Sequence, residues 1–319
     1  MANIIRRPNW HIPDRCVTPE SAYRNRREFL KHLGIASAGA FAFPGVGASA
    51  EAASKPITQG YPYKRNTLFD PGWRLTDDKV AGSYNNFYEF SLEKEAVRLL
   101  TDKFVTTPWP IEIKGLCDKP MTVDIETLLS DVSLEERVYR FRCVEAWAMI
   151  VPWTGFPLAE LIKLAKPKAE AKFIRFETAN RPEQFPGMTS PRTAKYPWPY
   201  FEGLRMDEAM NPLAFVATGI YGKSLPKQHG APVRLVVPWK YGYKSIKSVV
   251  KIEFVASQPK TFWETLAADE YPFESNVNPK VPHPRWSQAT ERMIDTGDRV
   301  RSQLFNGYGE QVSALYPKA

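Results

Sequence analysis

The chain has 319 residues, a formal net charge of +8, 43% hydrophobic residues, 28 prolines and nine tryptophans. The apolar share is ample for a sizeable core, while so much proline argues against a helical bundle and for loops and rigid turns. The charge argues against a nucleic-acid binder: residues 1–50 carry Arg6, Arg7, Arg15, Arg24, Arg26, Arg27 and Lys31 against Asp14, Glu20 and Glu28, which is +4 of the +8, and elsewhere basic and acidic side chains are interspersed as on a solvated face.

Residues 25–31 read NRREFLK, and an uncharged run, LGIASAGAFAFPGVGASA, follows from Leu33 to Ala50. A basic segment, a moderately apolar run and small residues make a secretory leader. The Arg26-Arg27 pair with Phe29, Leu30 and Lys31 gives it the twin-arginine form. The run is rich in Gly, Ala and Ser and broken by Pro44, so stable membrane insertion is not expected. Ala48-Ser49-Ala50 is a cleavage site that would start the mature chain near Glu51, placing a protein exported already folded in the bacterial periplasm. Residues 51–319 are expected to form a single domain.

From Glu51 to about Lys79 the chain reads as an extended arm. SYNNFYEFS, Ser83–Ser91, has tandem asparagines beside aromatics, which suits a turn presenting side-chain amides. Pro108–Leu116 alternates as a strand does, and Met121–Leu129 reads as a strand running into a helix. RVYRFRCV, Arg137–Val144, alternates again. Thr154–Ala165 reads as a helix with Thr154 as its cap and Pro157 in its first turn. Ala171–Asn180 is a further strand and LRMDEAM a short helix. Ala217–Ser224, ATGIYGKS, ends like a phosphate-binding loop but has Ala217 where that loop needs glycine, so nucleotide binding is rejected. Pro232–Ala256 gives two β-rich runs joined by a loop. A loop-rich tail follows from about Ser257, with a helix expected near Thr290–Asn306. Strands and helices mixed without regular βαβ spacing predict an α+β fold with irregular connections.

Once the leader and Cys16 are gone, two cysteines remain, Cys117 and Cys143, and two histidines, His229 and His283. In an oxidising compartment the cysteines could pair. Their contexts differ, since Cys117 sits in a turn-like segment and Cys143 ends an alternating strand between arginine and acid. Two histidines are too few for a histidine-rich metal site. There is no C-x-x-C-H haem attachment, no H-E-x-x-H and no G-x-S-x-G.

RFRCVEAWAM, NNFYEF and GAPVRLVVPWKYGYKSIKSV, together with the twin-arginine leader, resemble the sulfite-oxidase superfamily of molybdopterin enzymes, and within it the catalytic subunits of periplasmic protein-methionine-sulfoxide reductases. The resemblance implies a mixed-sheet, sulfite-oxidase-type molybdopterin-binding fold and a mononucleotide-type molybdopterin cofactor. It implies Cys143 as the protein's thiolate ligand to molybdenum, a soft donor for a sulfur-rich centre, with Arg140 and Arg142 expected to favour its ionised form. Matching motifs imply cofactor contacts from Asn85, Tyr88, Glu89, Thr178, His229 and Arg234, with Ser245, Ile246 and Lys247 at the phosphate end. Some relatives carry asparagine where His229 stands, and the histidine would add pH sensitivity.

The implied reaction returns methionine sulfoxide in oxidised periplasmic proteins to methionine. The chain has no haem or flavin motif of its own, so the resemblance implies a membrane-embedded haem b subunit that supplies electrons from the quinone pool. A protein substrate suggests a shallow, open site, with Trp147, Trp153 and Trp198 as candidate lining. Two other readings stand beside this one. The first is oxygen transfer to or from sulfite or small S- and N-oxides. The second is a metal-free periplasmic binding protein closed by a Cys117–Cys143 disulfide.

Overall fold

The computed structural model describes residues 60–317. The expected leader, its cleavage site and the start of the arm lie outside them. Residues 60–77 carry only one short 3-10 turn, Thr67–Phe69, in otherwise extended chain. Twelve strands follow: β1 (Pro110–Gly115), β2 (Met121–Asp124), β3 (Glu135–Arg142), β4 (Trp147–Pro157), β5 (Phe173–Thr178), β6 (Phe201–Arg205), β7 (Phe215–Ile220), β8 (Lys223–Ser224), β9 (Arg234–Val236), β10 (Val249–Val255), β11 (Thr290–Met293) and β12 (Arg299–Arg301).

They form two mixed sheets. The first runs β2-β1-β10-β5-β6, with β1 and β10 parallel and the other pairs antiparallel. The second runs β12-β11-β4-β7-β8, with β3 paired to β4 and β9 to β7. Its one parallel pair is β11 with β4. Helices are few and short, the longest described one being Leu158–Ala165. One apolar core takes Ile111, Ile113, Ile174, Phe176 and Phe254 from the first sheet and Tyr139, Val151, Phe156 and Phe215 from the second. This is the α+β architecture that the mixed pattern predicts.

β4 organises the second sheet. β3 runs antiparallel along residues 148–155, β7 antiparallel along 153–157, and β11 parallel at 147–148. Every residue of β4 but the last is buried, as a strand covered on both faces must be. That explains a correction. The helix expected from Thr154 begins only at Leu158, and Thr154–Phe156 are strand. The apolar run is continuous because the strand is doubly covered, and Pro157 caps the helix from outside.

The C-terminal expectation also fails. Thr290–Asn306 holds the β11–β12 hairpin instead of a helix, reversed where Gly297 takes φ +76°. Ala217–Ser224 spans the β7–β8 hairpin, with Tyr221 and Gly222 both at positive φ in its two-residue turn. The helix expected in LRMDEAM is shorter, Met206–Ala209, because Leu204 and Arg205 end β6.

Gly155 sits at the register shift between β4 and β7, where an added Cβ would lie 1.9 Å from the Val216 carbonyl oxygen. Backbone cannot yield there as a side chain can. Gly155→Ala should lower unfolding stability by about 3 kcal/mol, read from urea midpoints, whereas the same change at Gly72, which has open space around it but a positive φ, should cost only about 1 kcal/mol.

Candidate active site

β3 ends at Arg142 and the chain reverses through Cys143–Ala146 into β4. The turn closes through Ala146 N–H to the Cys143 carbonyl at 3.0 Å and Cys143 N–H to the Trp147 carbonyl at 2.9 Å. Ala146 takes φ +63°, an unusual value for a residue with a Cβ. The turn holds the Cys143 sulfur against a cavity of about 660 Å³. The Ser83–Ser91 segment, the 227–234 loop and the 242–247 loop bring their residues to the same cavity.

Both cysteines are free, so the disulfide reading is overturned. Asn86 Nδ2 lies 3.3 Å from the Cys143 sulfur and the Glu145 N–H 3.5 Å. The arginine expectation needs correction. Arg140 and Arg142 both bind Glu291, at 2.5 and 2.9 Å, and Arg142 also donates to the Cys143 carbonyl rather than to its sulfur. Burial pushes the Cys143 thiol up to about 12, the Glu145 carboxylate adds to this, and Lys94 and Arg142 offset it only in small part. The flanking arginines therefore do not ionise this thiol; a bound metal would.

Glu145 was not singled out in the sequence. It is the hub of the cavity's outer part. Its carboxylate accepts from Asn86 Nδ2 at 3.0 Å, Trp147 Nε1 at 3.1 Å and Tyr88 OH at 3.4 Å, and pairs with Lys94 Nζ at 3.0 Å. Burial works against its charge, but the Asn86 hydrogen bond and the Lys94 charge outweigh it and hold the carboxyl below its usual range. Its place two residues after Cys143 was a usable signal. Asn86 and Lys94 gave none beyond the tandem-asparagine turn.

Of the residues expected at the cofactor, Asn85, Tyr88, Glu89, His229, Arg234, Ser245, Ile246 and Lys247 all line this cavity with Cys143. Thr178 does not. Its hydroxyl donates to the Lys247 carbonyl at 2.7 Å and braces that loop from behind. Ser245 lines the cavity with its own polar groups already taken: its hydroxyl accepts from Val237 N–H at 3.1 Å, its N–H donates to the Gly242 carbonyl and its carbonyl accepts from Arg234. Of the three tryptophans, only Trp147 lines the cavity; Trp153 is fully buried beneath the Arg234 guanidinium and Trp198 lies outside. Trp263 and Trp286 line it instead.

The inner end is electrostatically incomplete. Arg234 is buried and donates to the carbonyls of Leu235, His229 and Ser245, with no carboxylate partner among the described residues; burial alone pulls its guanidinium down to about 9. Burial and Arg234 pull the Lys247 ammonium down, while burial pushes the neighbouring Glu89 carboxyl up against the opposing pull of Lys247. A buried, unneutralised guanidinium such as Arg234 is costly unless an anion joins it. Asn85 Oδ1, Asn86 Oδ1 and His229 Nε2 are buried without a hydrogen-bond partner. Orphaned acceptors, buried cations and one thiol fit an anionic, phosphate-bearing, sulfur-ligated metal cofactor such as molybdopterin.

Burial, Arg234 and Lys247 pull His229 down to about 3. The histidine is neutral in the fold and does not add the expected switch near neutral pH. An unfolded histidine takes up a proton below about 6.5, so its contribution to stability is intact at pH 7.5 and is lost as pH falls from there toward 3. His229→Asn should remove this. Between pH 7.5 and pH 5, the cofactor-free wild type should lose about 2 kcal/mol more than the variant in urea unfolding.

Residues 99–263 match the family model described as oxidoreductase molybdopterin binding domain. The chain is 46% identical over 310 residues to the protein-methionine-sulfoxide reductase catalytic subunit MsrP of Burkholderia mallei, covering 96% of this chain and 93% of that one. It is 46% identical over 314 residues to the protein of the same name from Xanthomonas axonopodis pv. citri, covering 96% and 95%. Among solved structures, the sulfane dehydrogenase SoxCD from Paracoccus pantotrophus aligns at 17% identity and a TM-score of 0.45, over 77% of this chain and 68% of that one, a likeness too slight to argue from.

Proposed function

We propose, for a chain that belongs to the molybdopterin-dependent family of protein-methionine-sulfoxide reductase catalytic subunits, that this cavity returns methionine sulfoxide in oxidised proteins to methionine. The chain is an oxidoreductase with a molybdopterin cofactor. The observation that carries the reading is the free Cys143 thiol set between buried cations on one side and a carboxylate hub on the other.

When bound, molybdopterin supplies the two-electron, oxygen-accepting metal chemistry. The protein's residues hold and prepare it. Cys143 would ligate the metal, while Arg234, Lys247 and the loop at Ser245 and Ile246 would neutralise the phosphate end. Asn85 and His229 would bond the pterin through their unpartnered atoms. Sulfoxide reduction consumes two protons and two electrons and releases water. Glu145 Oε2 lies 3.6 Å from the sulfur, and Lys94 stands behind it. That makes the Glu145–Lys94 pair, an ionised carboxylate backed by an ammonium, the cavity group able to relay protons to the departing oxygen. Trp147, Trp263 and Trp286 offer apolar faces to the thioether methyl.

For the wider setting, the twin-arginine leader supports export of the folded protein to the periplasm. The lack of any haem or flavin motif supports electron delivery from a membrane-embedded haem b subunit. No helix of the described residues is long and apolar enough to cross a membrane.

Steady-state turnover with an artificial reductant tests the reading. Molybdenum-loaded enzyme should reduce oxidised, methionine-rich protein and show no comparable sulfite oxidation; the reverse pattern would overturn it. Glu145→Gln should keep its molybdenum yet lose about 100-fold in kcat on methionine sulfoxide.

A further inference from the structure

Arg292 on β11 lies directly opposite Arg299 on β12, and Thr290 opposite Arg301. Residues in register and two apart share one face of a sheet, so the three arginines stand together. Like charges directly opposite one another destabilise a strand pair. None of the three has a carboxylate partner among the described residues, whereas the nearby Arg74 and Arg285 are paired with Asp295 and Glu270. Arg299 reaches only the Thr290 hydroxyl, at 3.3 Å, and the Arg292 guanidinium lies 6.0 Å from the Tyr84 ring.

The strip is fixed to the active site. Arg292 is in register with Trp147, and its N–H donates to the Ala146 carbonyl at 2.9 Å, in the turn that carries Cys143. Arg292 and Arg299 line the same cavity as Cys143 and Glu145. Charge on an edge strand can serve only to block sheet-to-sheet aggregation. That explains Arg299 and Arg301 on β12, but not Arg292, which is one strand further in and faces the cavity.

We propose that the arginine face of the β11–β12 hairpin is a docking strip for acidic stretches of the polypeptide substrate, so that sulfoxides flanked by Asp or Glu are preferred. This rests on the reductase reading and names its substrate class. Of the two carboxyl groups lining the cavity, Glu145 is taken by Lys94 and Glu89 faces Lys247, so neither answers the strip's charge. An extended chain entering the cavity at its sulfoxide would lay its flanking side chains across Arg292, Arg299 and Arg301. Their attraction acts on encounter and register more than on the chemical step.

The test uses molybdenum-loaded wild type and two oxidised peptides, each with one methionine sulfoxide, flanked by aspartates in one and by lysines in the other. Dimethyl sulfoxide, which is uncharged, is the reference substrate. At about 0.02 M salt the aspartate peptide should exceed the lysine peptide about 10-fold in kcat/KM, the worth of two exposed ion pairs, and at about 0.5 M salt the ratio should approach one. Arg292→Glu combined with Arg299→Glu should invert the low-salt ratio, which is independent of how much of the variant is active. Should that variant fail to fold, the wild-type salt dependence decides alone. Turnover of all three substrates with no flank preference at either salt overturns the strip and leaves the reductase standing. No turnover of any sulfoxide overturns both.

Discussion

The site depends on one buried charge, Arg142. It and Glu291 are both fully buried, paired at 2.9 Å. Withdrawing two charges from water is repaid only when every remaining donor is met. Here the guanidinium also reaches Gln288 Oε1 at 2.8 Å, Ser302 Oγ at 3.2 Å and the Cys143 carbonyl. Glu291 accepts in addition from Arg140 and Ser302. Residues 288–302 are thereby bound to a turn nearly 150 positions earlier. Gln288 and Trp286 add hydrogen bonds to the Val144 carbonyl at 2.8 and 2.7 Å. The turn carrying the Cys143 thiol is thus clamped from the C-terminal segment as well as by its own strands, the support that its proposed role as a metal ligand requires.

From that turn the cavity divides by charge. At its inner end lie Arg234 and Lys247 with a neutral histidine and unpartnered amide oxygens. At its outer end a carboxylate collects four donors. The first half suits an anionic cofactor held permanently. The second suits a neutral, dipolar sulfoxide and the protons it consumes. Keeping the two apart within one cavity lets the cofactor's charge be cancelled without neutralising the group that handles protons.

Elements on half-covered sheets were legible. β1 and β5 alternate because one face meets core and the other does not, and their positions follow from period two; β3 alternates in sequence but is buried through Glu136–Tyr139. β4 was hidden because it is buried on both faces and carries Pro152, Gly155 and Pro157, so its run blended into the helix behind it. The C-terminal hairpin was hidden because its strands are only four and three residues long and mostly polar, and they are fixed by tertiary pairing to β4. Cys143 stood out because a lone cysteine between arginine and acid has few other uses. The direction of its flanking arginines did not, since strand alternation turns them to Glu291, a partner known only from the fold. Glu145 and Lys94 meet only in three dimensions; Glu145 follows Cys143 by two residues, but Lys94 lies in no recognisable pattern.

The most direct measurement is molybdenum per chain in the protein recovered from a molybdopterin-competent host, by elemental mass spectrometry, beside Cys143→Ser. About one metal per wild-type chain, with the variant losing the metal or showing an altered metal spectrum, is what a single thiolate ligand at Cys143 requires. Protein that carries no molybdenum, or a variant whose metal content and spectrum match the wild type, would contradict it.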